Sequence, residues 1–356
     1  MQAVAARILA GLTGLGILFV AALAADPTSP AAPGLRTFVP DSVSPAARAI
    51  FEKFAPGAAA AMAHFPSLKT NADIEALHDK MEALQLPGAA KAVKALSVSS
   101  VMGKLGGVGV LTTLPPNYVD DGTVLIRVHG GGWILGSAQS TAGADAQMAI
   151  LTGKRIVSVD YTVAPRGNFQ TVTDQVVAVY KAVMAQGYKP QNIGIFGESA
   201  GANIVPGAML KARDQGLPMP AAMLLMSPCT DLHLNGDTET TLRLADPVLD
   251  IAPIGPGLNA YAAPQDWSNP YASPVYGDYS KPYPPTLIQV GTKELLLSDS
   301  VRLYQAMKAG GRDVVLDVYE GMPHVFQGYM TGTPEQKAAF AEINRFWKAH
   351  LAGEKR

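Results

Sequence analysis

The chain has 356 residues, 48% of them hydrophobic, one cysteine, and a formal net charge of −1 from 28 Lys+Arg against 29 Asp+Glu. That length and apolar content suffice for a large core, so general disorder is excluded. The near balance of charge, without basic runs, excludes nucleic acid as the expected partner. The lone thiol, Cys229, cannot form an intramolecular disulfide, so the fold must rest on its core.

Residues 1–25 carry one basic side chain, Arg7, then an uncharged stretch from Ile8 to Ala25 with small residues at Ala22 and Ala24. This reads as a secretory signal peptide, which makes the mature protein periplasmic or secreted; the alternative is a retained membrane anchor, the only membrane contact expected. A Pro/Ala linker over 26–40 follows. Residues 41–100 hold two segments with helical spacing, 44–65 and 71–96, the second with Asn71 and Asp73 as capping or first-turn acidic residues. From Val108 the texture changes. Runs rich in β-branched residues (108–113, 123–129, 155–161, 192–198, 221–227, 286–291, 313–319) alternate with helical ones (171–187, 199–216, 298–311, 333–351). Continuous apolar strands between helices indicate an α/β fold with a mostly parallel central sheet covered by helices on both faces, here assigned to 101–356. In the last helix Thr333, Pro334 and Gln336 form a capping-box pattern.

The chemistry concentrates at strand ends. "NIGIFGESAGAN" places Gly197, Ser199 and Gly201 as G-x-S-x-G between a strand and a helix. In that context the turn strains the serine and exposes its hydroxyl at the sheet edge. A serine needs a base to take its proton. Of six histidines, His64, His78 and His350 fall in helical regions and His233 in a polar loop, whereas His324 lies in "YEGMPHVFQG", just past the last strand. The third member must be a carboxylate on a loop at the same edge. Glu294, the first acid after the strand 286–291, is favoured over Asp299, which stands after Ser298 at a helix start and reads as a dipole partner. His129 and the glycines 130–132 end another strand. A glycine run lets backbone N–H groups approach a developing oxyanion. A phosphate loop there lacks the G-x-x-x-x-G-K-[ST] pattern, and a metal site at His129 lacks a partner ligand at metal spacing.

The segments "HGGGW", "GESAG", "SPCTDL", "ADPVLD", "ASPVYGD", "LIQVGTKELLLSDS" and "GMPHVFQ", in that order, resemble the bacterial hormone-sensitive lipase-like family of α/β-hydrolases over roughly 108–351. The resemblance implies the α/β-hydrolase fold with eight strands, an N-terminal helical cap, no cofactor, and hydrolysis of short- to medium-chain carboxylic esters. It implies Ser199 as nucleophile, His324 as base, and the N–H groups of Gly131, Gly132 and Ala200 as oxyanion hole, with His129 bracing the glycine loop. The chain departs from the family pattern at Glu198 and Glu294, where aspartate is usual, and at "YTVAPRGNF", where Thr162 and Arg166 replace the usual charged positions. Local ion pairing must therefore differ.

The partner expected is a small-molecule ester, and a homodimer is left open. A lactone hydrolase or amidase would use the same groups, and a non-catalytic binding protein on this fold is the rival of another class. Trp133 and Phe326 flank the catalytic elements as pocket-lining or core residues.

Overall fold

Eight strands form one sheet in the computed structural model, which describes residues 34–63 and 65–352. In chain order they are β1 (Ser99–Leu105), β2 (Val108–Leu114), β3 (Val124–Val128), β4 (Arg155–Asp160), β5 (Ile193–Glu198), β6 (Ala222–Met226), β7 (Thr286–Gly291) and β8 (Val314–Tyr319). Their order across the sheet is β1-β2-β4-β3-β5-β6-β7-β8. β2 alone runs against the rest, pairing antiparallel with β1 and β4. Strands β3, β5, β6 and β7 are buried throughout or nearly so, because helices cover both faces.

The helices are α1 (Pro45–Ala63), α2 (Asn71–Ala95), α3 (Ala142–Thr152), α4 (Phe169–Ala185), α5 (Ala200–Asp214), α6 (Thr238–Thr241), α7 (Ile251–Tyr261), α8 (Leu297–Ala309) and α9 (Pro334–His350). Period-2 alternation sorts the strands' side chains. Leu125, Phe196, Leu224 and Leu287 join Met148 of α3 and Trp347 of α9 on one face. Ile126, Ile195, Leu225 and Ile288 join Tyr180 of α4, Met209 of α5 and Leu303 of α8 on the other. The doubly covered sheet makes the C-terminal ends of β3, β5, β7 and β8 the place where loops can carry function.

Several expectations are refined. The expected signal peptide and residues 26–33 of the linker lie outside the described residues, as does His64. The end of the linker is not free: Arg36 pairs with Asp250 at 2.6 Å, and Lys293 donates to the Leu35 carbonyl. Helical structure in 41–100 stops at Ala95, and β1 already begins at Ser99. The hairpin strand β1 went unread because its residues are mostly exposed and show no apolar alternation. Three helices are also absent from the sequence expectations, the four-residue α6 among them. α7 contains Pro256 and two glycines, and α3 is an Ala/Gly-rich segment without a clear polar face. The cap of α2 is Thr70, whose hydroxyl and the Asp73 carboxylate satisfy each other's backbone N–H. At α9 the Thr333 hydroxyl accepts from Gln336 N–H, but the Gln336 side chain reaches Gly332 N–H instead of closing a box. No helix among the described residues is long and apolar enough to cross a membrane.

Candidate active site

Ser199 sits at the turn from β5 into α5 with φ 55° and ψ −122°, a conformation costly for a residue with a Cβ. The surrounding sequence makes it attainable. A Cβ on Gly201 would stand 2.1 Å from the Val128 carbonyl oxygen, and one on Gly197 would stand 2.5 Å from the Gly201 carbonyl carbon. Only glycine at both positions lets helix α5 close onto β3 and β5, and Ser199 N–H then donates to Met226 O at 2.9 Å. The serine side chain is thereby held at the sheet edge.

His324, from the loop after β8, places Nε2 2.9 Å from Ser199 Oγ. Its Nδ1 lies 2.9 Å from Glu294 Oε2. A carboxylate at Nδ1 fixes the proton there, which leaves the Nε2 lone pair toward the serine hydroxyl. Glu294 is fully buried; its other oxygen accepts from Gly291 N–H at 2.5 Å and Ser227 Oγ at 3.0 Å. Ser227 Oγ in turn accepts from Val325 N–H at 3.0 Å, so one hydroxyl ties the acid's loop to the histidine's loop. Sequence reasoning missed Ser227. Its only signal was its place in "SPCTDL", at a strand end on the same edge.

Asp299 is elsewhere. It is buried on the first turn of α8, where Oδ2 accepts from Thr230 N–H at 2.5 Å and Asp231 N–H at 3.3 Å. Burial and the neighbouring Glu239 push its carboxyl well above the usual range. It stands in the first turn of the helix as expected, but as a buried acid held by backbone N–H groups of the 230–231 loop. Ser298 does not cap that helix; Leu296 is the cap residue, and the Ser298 hydroxyl donates to Asp237.

The glycine loop after β3 borders the same cavity as Ser199 and His324. Gly131 has φ 123°, and a Cβ there would stand 2.1 Å from Leu135 O, the residue whose N–H bonds back to Gly131 O at 3.0 Å. Gly132, at φ 57°, has open space where a side chain would be. Among the described residues neither glycine's N–H has a protein acceptor, and Ala200 N–H is at the first position of α5, without an intrahelical partner. His129 lies behind the loop. Its Nδ1–H donates to Gly130 O at 2.8 Å, and its ring stacks on Tyr161 with centroids 4.2 Å apart. Burial lowers its pKa to about 3, so it is neutral there.

Glu198 binds the two halves of the site. Its carboxylate accepts from Gly130 N–H at 3.1 Å and pairs with the fully buried Arg127, which also holds Asp145 of α3 at 3.0 Å. Burial raises the Asp145 pKa to about 6. At the other departure from the family pattern, Thr162 pairs with Gln175 through N–H to Oε1 and Nε2–H to Oγ1 bonds, an uncharged substitute for an ion pair. Trp133 and Phe326 are core, not pocket. The Trp133 ring stacks on Tyr261, and its indole N–H donates to Asn203. None of the other described histidines lines the cavity: His78 faces Ile134 O, His233 faces Ser268, and His350 packs on Phe346.

A cavity of about 260 Å³ opens over Ser199. Its cover comes from two chain segments: Phe65 and Gln85 from the N-terminal helical region, and residues 248–250 from the excursion between β6 and β7. The sequence reading placed the cover in the first segment alone. Among the described residues no group of three or more His, Cys, Asp or Glu side chains is arranged to hold a metal ion.

The α/β hydrolase fold family matches residues 125–328, more than half of the chain. The chain belongs to the hormone-sensitive lipase-like α/β-hydrolases. Relatives of this hydrolase include an acetyl-hydrolase of Streptomyces hygroscopicus, 34% identical over 226 residues that span 64% of this chain and 75% of the relative. An esterase of Acinetobacter venetianus is 34% identical over 63% of this chain and 74% of its own length. Among solved structures, esterase E25 superposes with a TM-score of 0.80 at 27% identity, covering 92% of this chain and 99% of the other. An esterase described as belonging to the bacterial hormone-sensitive lipase family gives 0.72 at 28% identity, with 87% and 99% covered. At family level the hydrolase is a carboxylic ester hydrolase.

Proposed function

We propose that this hydrolase cleaves short- to medium-chain carboxylic esters through an acyl-enzyme on Ser199. The observation that carries the reading is the unbroken relay from Ser199 Oγ through His324 to Glu294, with 2.9 Å at each step, beside a cavity that the glycine loop 130–132 also lines. His324 Nε2 takes the hydroxyl proton as Oγ attacks the ester carbonyl. The N–H groups of Gly131, Gly132 and Ala200 meet the oxyanion, each such donor contributing on the order of 10²- to 10³-fold in rate. The imidazolium, stabilised by Glu294, returns the proton to the departing alcohol oxygen. Water then enters, gives its proton to His324, attacks the acyl carbon, and releases the acid with Ser199 restored.

A small cavity with few charged groups suits neutral esters of modest size. The test is a screen of p-nitrophenyl esters by acyl length, with lactones and amides alongside. Hydrolysis of short and medium esters that disappears in Ser199→Ala is the expected result. Faster turnover of lactones than of any linear ester would move the reading to a lactone hydrolase, and no turnover at all would favour a ligand-binding role.

Export is proposed on sequence grounds: Arg7, the apolar run that follows, and the small residues at Ala22 and Ala24 support cleavage near Ala25.

A further inference from the structure

The cavity extends beyond the serine. It continues on the sheet face covered by α3 and α9, where α3 contributes Ala144, Gln147, Met148 and Leu151 to its wall. That spacing of three and four residues is one stripe of a helix. Phe196 of β5 and Phe340 of α9 complete the lining. Ala144, Leu151 and Phe340 are only half-buried although they lie between two helices packed on the same face, so α3 and α9 leave a seam here. The neighbouring residues of α3 do the packing: Asp145 turns to Arg127, and Ala146 and Ala149 are fully buried. Ester cleavage at the rim uses none of this seam.

We propose that the seam between α3 and α9 receives the unbranched alkyl chain of the ester, and that the stripe on α3 sets the chain length accepted. The proposal rests on the esterase reading of Ser199. At ~1.5 Å of rise per residue, the stripe from Ala144 to Leu151 is about 10 Å long. An extended alkyl chain advances roughly 1.3 Å per carbon, from a carbon–carbon bond of about 1.5 Å at the tetrahedral angle, so about eight carbons lie alongside α3. The wall there is mostly apolar, its polar groups being the Gln147 and Gln327 amides and, at the upper end, the Ser140 and Thr141 hydroxyls; the charges at that end, Arg127 and Glu198, are paired with each other. An alkyl chain matches that surface, whereas a charged or sugar-like group would lose its water without finding partners.

The test uses the purified protein with two ladders of substrate: p-nitrophenyl alkanoates, which lengthen the acyl group, and n-alkyl acetates, which lengthen the alcohol. One ladder should rise in kcat/KM by about fourfold per carbon up to about eight carbons and then fall; which ladder does so identifies the part of the ester that enters the seam. Leu151→Trp, at the far end, should shorten the best chain by about two to four carbons. Ala144→Trp, near the serine, should shorten it further, to about four carbons or fewer. Should Ala144→Trp melt abnormally, the half-buried Leu151 position carries the test alone. Ladders with the same optimum in wild type and both variants, while short esters are still cleaved in a Ser199-dependent way, overturn the seam and leave the esterase reading standing. Absence of any ester cleavage removes that reading and this proposal with it.

Discussion

Glu294 and Asp299 are five residues apart and both fully buried, yet their partners separate them. Glu294 faces His324, whereas Asp299 faces two backbone N–H groups and Glu239. Glu294→Gln should keep the fold but present the wrong donor to the imidazole, and kcat should fall by roughly 10³- to 10⁴-fold. Because Asp299 Oδ2 serves as acceptor for two backbone N–H groups, Asp299→Asn keeps an oxygen acceptor in nearly the same place. It should retain acylation and lose no more than about 1 kcal/mol of stability. Pre-steady-state kinetics and melting curves on the two variants check both statements; loss of acylation in Asp299→Asn alone would reverse the assignment. Ser227 makes a third residue-scale case. Ser227→Ala leaves Val325 N–H without its acceptor and removes one donor from Glu294, so about 1–3 kcal/mol of stability should go. A kcat deficit should accompany it that is not restored by lowering the temperature. The sequence made Ser199, His324 and Glu294 legible because each stands in a motif or first after a strand. Ser227 acts only through hydrogen bonds between distant loops, and no local pattern announces such a bond.

At the scale of elements, seven of the eight strands are legible as β-branched or apolar runs, and four of them are so because their environment is uniform. β3, β5, β6 and β7 are covered on both faces, so their sequences are apolar throughout. β1 is an exposed edge hairpin strand held chiefly by its ladder to β2, and ladder bonds leave no trace in side-chain pattern. α7 forms despite Pro256 and its glycines because tertiary contacts, including Leu258 and Tyr261 in the core, outweigh propensity. The join between β3, β5 and α3 is electrostatic: Arg127 holds Glu198 on one side and Asp145 on the other. Asp145 has a folded-state pKa of about 6, raised by burial above its ordinary value. Between about pH 4 and 6 the native protein therefore holds a proton that the unfolded chain has released. The stability contribution is complete below about pH 4 and is lost as pH rises through about 6, at up to ~1.4 kcal/mol per pH unit. Urea unfolding of wild type and Asp145→Asn across that range should show the steeper decline in wild type. Parallel slopes would mean that the Arg127 pair keeps Asp145 ionised in the fold.

For the whole molecule, the sheet gives the site its frame and two separate segments give it a cover. The N-terminal helices pack against α3 and α9, while residues 248–250 close from the β6–β7 excursion and are tied to Arg36. The resemblance to the family gave the eight strands and the N-terminal part of the cover; the second part came from a Pro- and Gly-rich stretch whose sequence has no regular period. Export belongs to this scale as well. Expressed in a secreting bacterium, the mature protein should begin near Ala25 or Asp26 by N-terminal sequencing, and recovery of intact Met1 from the membrane fraction would indicate an anchor. The central claim, that this assembled edge drives attack by a single serine, is tested most directly by treating the protein with a fluorophosphonate and mapping the adduct by mass spectrometry. One adduct per chain on Ser199, absent from Ser199→Ala, together with complete loss of ester hydrolysis, is the expected result; an adduct on another residue, or substantial turnover by Ser199→Ala, would contradict it.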